Sequence, residues 1–99
     1  MSVPKLSDDE ITRHMAMLPD WSREGETLTK QYQFKDFTHA LQFVNQLAET
    51  AESVNHHPDI DIRYNKVKIV LTTHDSGGIT KKDIELAASA DDTADAIAA

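Results

Sequence analysis

The sequence predicts an α+β fold in which a four-stranded antiparallel sheet carries three helices on one face, in the order α-β-β-α-β-β-α. Three observations carry this reading. Two pairs of alternating apolar and polar runs each enclose a turn former, a long apolar stripe at helical spacing separates the pairs, and capping-box spacings at Ser7/Glu10 and Thr80/Asp83 open helices near either end.

Ser7 and Glu10 can each satisfy the other's backbone N–H, and Leu6 and Ile11 flank them as a hydrophobic staple. Ile11, Met15 and Leu18 recur at helical spacing until Pro19, which predicts a first helix over roughly residues 8 to 17. From Trp21 to Phe34 the period changes. A turn at Glu24-Gly25-Glu26 precedes Leu28, Lys30, Tyr32 and Phe34 in alternation with polar residues, the pattern of a strand with one buried face and of a first hairpin.

Phe37, Ala40, Leu41, Val44, Leu47, Ala48, Ala51 and Val54 then form one helical stripe behind Asp36 as its cap. This helix is expected to end near Asn55, which tolerates a left-handed conformation, because Pro58 disfavours helical geometry at His57. Ile60, Ile62 and Tyr64 alternate with Asp59, Asp61 and Arg63, and Val67, Ile69 and Leu71 with Lys66, Lys68 and Val70, so a second hairpin turns at Asn65. Ile60, Ile62 and Tyr64 share a parity and are expected to be buried. After the Ser76-Gly77-Gly78 loop, Thr80 and Asp83 begin a last helix whose alanine- and aspartate-rich tail, residues 90 to 99, is expected to fray.

A chain of 99 residues is the size of one domain, and its thin margin of stability favours association of subunits. With 17 acidic against 10 basic side chains and a net charge of -7, there is no basic face for a phosphate backbone, so nucleic acid is not an expected direct partner. The absence of cysteine excludes disulfides and thiolate chemistry. With no apolar run to span a bilayer and no leader-like stretch at Met1 to Lys5, the expected location is cytoplasmic and no membrane partner is expected.

Chemistry concentrates at three histidines. His56 and His57 follow the long helix and His74 follows the fourth strand, at element ends where a rigid scaffold can aim a side chain. Glu52 lies four residues before His56, so if the last helical turn persists to His56 the two share a face, either as a carboxylate–imidazole contact that orients and charges the ring or as an ordinary exposed pair worth a few tenths of a kcal/mol. A metal is not expected: adjacent extended residues project to opposite sides, and neither an H-x-H pair nor an H-E-x-x-H spacing is present. Trp21 could pack in the core or line a slot for a flat ring, and His14 and His39 are expected to face solvent.

The segment Glu52-Ser53-Val54-Asn55-His56-His57-Pro58, with Tyr64, His74 and Asp83 at their spacing beyond it, resembles the pterin-4a-carbinolamine dehydratases, and the likeness runs from Trp21 to Leu86. The resemblance implies a hydro-lyase that converts 4a-hydroxytetrahydropterin to quinonoid dihydropterin and water, without metal or redox cofactor, in pterin recycling after aromatic amino acid hydroxylation. It implies His56 and His74 as the acid/base pair, His57 in catalysis and substrate orientation, Glu52 charging His56, and Trp21 and Asp83 at the substrate. It also implies a homodimer or a homotetramer built as a dimer of dimers. The rival readings are a non-catalytic pterin-binding or assembly module on the same scaffold, and a dehydratase for a different pterin.

Overall fold

A computed structural model describes residues 3–98 of the chain. Met1, Ser2 and Ala99, which enter the expectations about the leader and the tail, lie outside the described residues. The Ser7 hydroxyl accepts the Glu10 N–H at 3.1 Å, and Glu10 Oε1 accepts the Ser7 N–H at 2.9 Å, so the capping box opens α1 (Asp8–Met15). The hydrogen bond from the Ser7 backbone is the foremost cause holding the Glu10 carboxyl below its ordinary range.

The first hairpin joins β1 (Ser22–Glu24) to β2 (Thr27–Gln33) through Gly25 at φ 59, a left-handed value that glycine adopts at little cost. Asp36 accepts the His39 N–H at 2.9 Å and starts α2 (Phe37–Val54). The second hairpin, β3 (Asp59–Arg63) and β4 (Lys66–Leu71), turns through Tyr64 and Asn65. A 3-10 turn at His74–Ser76 then leads to α3 (Lys81–Ala98). All strand pairs are antiparallel in the order β1-β2-β4-β3, so the two longest strands lie at the centre.

That centre is the core. Leu28 pairs with Leu71 and Tyr32 with Val67 across β2 and β4, and α2 and α3 lay Phe43, Leu47, Leu86 and Ala90 onto them. Phe43 sits between Tyr32 and Phe34, with ring centres 4.7 and 5.0 Å away. No helix among the described residues is long and apolar enough to cross a membrane.

Three expectations are corrected. The buried stripe of α2 is Ala40, Phe43, Leu47 and Ala51, whereas Phe37, Leu41, Ala48 and Val54 are exposed. The apolar set is wider than one face, and the ring that fills the gap beside Tyr32 and Phe34 decides which part turns inward. β3 is an edge strand whose neighbour is β4, and all five of its residues are exposed, including Ile60 and Ile62 at 36%. Tyr64 adopts φ 54 in the turn and is 68% exposed, so it leaves the strand's alternation. Finally, α3 remains helical through Ala98, because Ala90 and Ala94 are buried and Asp91 accepts three hydrogen bonds, from Lys30 and Tyr32 of β2 and from Trp21 just before β1.

Candidate active site

The end of α2 sets the position of the histidines. Asn55 closes the helix at φ 52 and ψ 45, and the His56 N–H reaches back to the Ala51 carbonyl at 3.0 Å. This left-handed step takes His56 off the helical path and away from Glu52, so the expected Glu52–His56 contact does not form. Glu52 instead pairs with His57 at the surface. The His56 ring turns inward to 8% exposure, with Nε2 2.6 Å from Asp83 Oδ1.

Asp83 is fully buried beneath that ring. Its Oδ2 accepts the Thr80 N–H at 2.9 Å, which is the capping contact the sequence predicts, and the Thr73 hydroxyl at 2.8 Å. A carboxylate offers only lone pairs, so with Oδ2 taken by those donors Oδ1 faces a protonated Nε2 of His56. In the neutral ring Nδ1 is then the nitrogen that carries the lone pair. Asp83, expected at the substrate by resemblance, thus reaches the outside only through His56.

His74 arrives from the other direction. Thr73 and Gly78 form an antiparallel bridge, with N–H···O distances of 3.0 and 3.3 Å, and the 3-10 turn between them carries His74. His56, His57 and His74 come together on one open cleft of about 210 Å³, walled by Thr72, Thr73 and Lys82. A recess of about 100 Å³ bounded by Val54 and Leu86 adjoins it, sharing His56 and Lys82. The arrangement offers one imidazole held by a buried carboxylate, two more exposed imidazoles, the Asp75 carboxylate and an ammonium, which suits proton transfer to and from a small polar molecule. Among the described residues no group of three or more His, Asp or Glu is arranged to hold a metal ion.

Trp21 is not brought to this cleft. It is 4% exposed, and its Nε1–H donates to Asp91 Oδ1 at 3.1 Å, an acceptor shared with Lys30 Nζ at 2.7 Å and the Tyr32 hydroxyl at 2.5 Å. Burial, reinforced by Asp91, raises the Tyr32 phenol well above its ordinary value. Lys82, with Thr72, Thr73 and Asp75, is among the cleft residues that sequence reasoning missed. Its signal was present, because a cation in the first turn of α3 opposes the helix dipole at a cost of a few tenths of a kcal/mol and calls for another reason to be there.

Residues 4–93 match the family described as pterin 4 alpha carbinolamine dehydratase. Relatives named "Putative pterin-4-alpha-carbinolamine dehydratase" include one from Nostoc sp., 55% identical over 84 residues that cover 85% of this chain and 90% of the relative. Another, from Chloroflexus aurantiacus, is 48% identical over 90 residues, covering 91% and 97%. The crystal structure of a transcriptional coactivator/pterin dehydratase from Brucella melitensis aligns at a TM-score of 0.86 and 34% identity, over 96% of this chain and 99% of that one. A pterin dehydratase-like protein identified as a RuBisCO assembly factor in the alpha-carboxysome aligns at 0.66 and 26% identity, over 76% and 89%. The chain belongs to the pterin 4 alpha carbinolamine dehydratase family, an enzyme family of hydro-lyases.

Proposed function

We propose that this chain dehydrates 4a-hydroxytetrahydropterin to quinonoid dihydropterin and water, in recycling of the pterin used by aromatic amino acid hydroxylases, with His56 and His74 as its acid/base pair. The observation that carries the reading is the convergence of His56, His57 and His74 on one cleft with His56 locked by buried Asp83. In the reaction His56 Nδ1 takes the N5 proton, the freed electron pair forms the N5–C4a double bond, and the C4a–O bond breaks. His74 gives its proton to the departing hydroxyl, which leaves as water. His57, paired with Glu52, and Lys82 orient the pterin's polar edge.

The test is stopped-flow absorbance of freshly generated 4a-hydroxytetrahydropterin, with a chelator present. The expected result is acceleration by the wild-type protein and a loss of about 10²-fold or more in His56→Ala and His74→Ala. Wild-type rates in both variants, with native circular dichroism, would overturn the assignment.

A second reading, an assembly module without catalysis, draws on the solved relative identified as a RuBisCO assembly factor. No acceleration by folded protein would select it. Exposed Phe37, Leu41, Val54, Ile60, Ile62 and Tyr64 support a homodimer or homotetramer under either reading. Sedimentation equilibrium at micromolar concentration tests it, and a monomer would refute it.

A further inference from the structure

A chain of hydrogen bonds runs beneath the histidine cleft and joins the end of α2, the turn after β4 and the start of α3. Thr80 Oγ1 accepts the Lys82 N–H at 3.2 Å and lies 2.8 Å from Thr73 Oγ1. Thr73 Oγ1 is 2.8 Å from Asp83 Oδ2, and Asp83 Oδ1 is 2.6 Å from His56 Nε2. Thr73, Thr80, Asp83 and His56 are all buried.

The direction of the chain follows from what each group can give. A carboxylate has only lone pairs, so the Thr73 hydroxyl spends its single proton on Oδ2. None is left for Thr80, and the Thr80 hydroxyl is therefore the donor in the contact between the two threonines. With one bond accepted and one given, the Thr73 hydroxyl has a fixed orientation.

The backbone of the same residue holds the other histidine. The Thr73 N–H donates to the Gly78 carbonyl at 3.0 Å, and the Thr73 carbonyl accepts the Ser76 and Gly78 N–H groups at 3.0 and 3.3 Å. These bonds close the turn on which His74 stands. His56 is thus held through the Thr73 side chain, and His74 through its main chain.

We infer, resting on the dehydratase reading, that Thr73 is a positioning residue whose hydroxyl keeps the His56 ring in register with His74. Without that hydroxyl Oδ2 retains only the Thr80 N–H, 2.9 Å away, so the carboxylate is free to turn and the buried Thr80 hydroxyl loses its acceptor. The His56 ring follows the carboxylate, while the His74 turn stays on its main-chain bonds.

The experiment compares the full-length wild type, in its solution assembly, with Thr73→Val and Thr73→Ser. Stopped-flow dehydration of 4a-hydroxytetrahydropterin gives kcat and KM, and the ¹H–¹⁵N signal of the His56 Nε2–H reports how firmly the ring is held. In Thr73→Val, kcat is expected to fall about 10–100-fold, the worth of one hydrogen bond to a charged group, while KM stays within about twofold. The Nε2–H signal, sharp in the wild type, broadens by exchange with water. Thr73→Ser keeps the hydroxyl, so its kcat stays within about threefold of the wild type and its signal stays sharp. Wild-type kcat in folded Thr73→Val, or an equal loss in Thr73→Ser, would overturn the inference and leave the dehydratase reading standing. No acceleration by the wild-type protein would overturn both.

Discussion

Replacing Asp83 with Asn tests the coupling between the buried cap and the proposed base. The Asn oxygen stays with the Thr80 N–H and the Thr73 hydroxyl, now 2.9 and 2.8 Å from Oδ2, because the buried Thr80 N–H would otherwise go unpaired. The new NH₂ then occupies the Oδ1 position, 2.6 Å from His56 Nε2, where donor would face donor. The ring escapes by moving its proton to Nδ1, which then carries an N–H in place of a lone pair. The negative charge that would stabilise an imidazolium is lost as well. In Ser-His-Asp triads the same exchange costs about 10⁴ in kcat. General acid–base catalysis is worth about 10²–10⁴, so a loss within that range is expected here. Trading a charge-assisted hydrogen bond for a neutral one should cost about 1–2 kcal/mol, a fall of about 4–16 °C in Tm for a chain of this size. Stopped-flow dehydration and thermal unfolding read the two effects separately. A folded Asp83→Asn variant with wild-type kcat would refute the tautomer argument.

Phe43→Ala should cost about 3–5 kcal/mol, because this fully buried ring fills the space between Tyr32 and Phe34; urea unfolding measures it, and a loss below 1 kcal/mol would mean the core collapses around the gap. Glu52→Gln should leave urea stability within about 0.5 kcal/mol, since the Glu52–His57 pair is largely exposed, while raising KM more than it lowers kcat. The Glu10 carboxyl lies below its ordinary 4.5 in the folded chain, so its contribution is complete above pH 4.5 and is lost as pH falls through the lower folded value. Glu10→Gln should therefore narrow the stability difference between pH 6 and pH 3, and identical pH slopes for both proteins would remove the capping box from the acid response.

The elements were legible because each is written locally. Ser7 with Glu10, Asp36, Asn55 and Thr80 with Asp83 all act at helix ends where their side chains can reach nearby backbone groups, and no distant residue has to be known. Which face of an element is buried is a tertiary question, and there the pattern misled. Ile60 and Ile62 alternate like core residues, yet β3 is the sheet edge, and strand order cannot be read from a single hairpin. On α2 the stripe missed Phe43, whose place is fixed by the Tyr32 and Phe34 rings supplied from another part of the chain.

The site divides in the same way. That His56, His57 and His74 stand at element ends follows from local signals, but their partners do not. Glu52 is four residues from His56 along the chain, and that proximity would decide the pairing only if the helix ran on. Asn55 ends it one residue too early, and His56 meets a carboxylate twenty-seven residues away. Asp83 serves two elements at once: Oδ2 fastens the start of α3 and the Thr73 hydroxyl, and Oδ1 fixes the ring at the end of α2. The capping signature that made Asp83 look structural is also what immobilises it. A carboxylate already held by two donors and removed from solvent has one orientation left to offer the imidazole, so the helix cap and the orientation of the proposed base are a single arrangement.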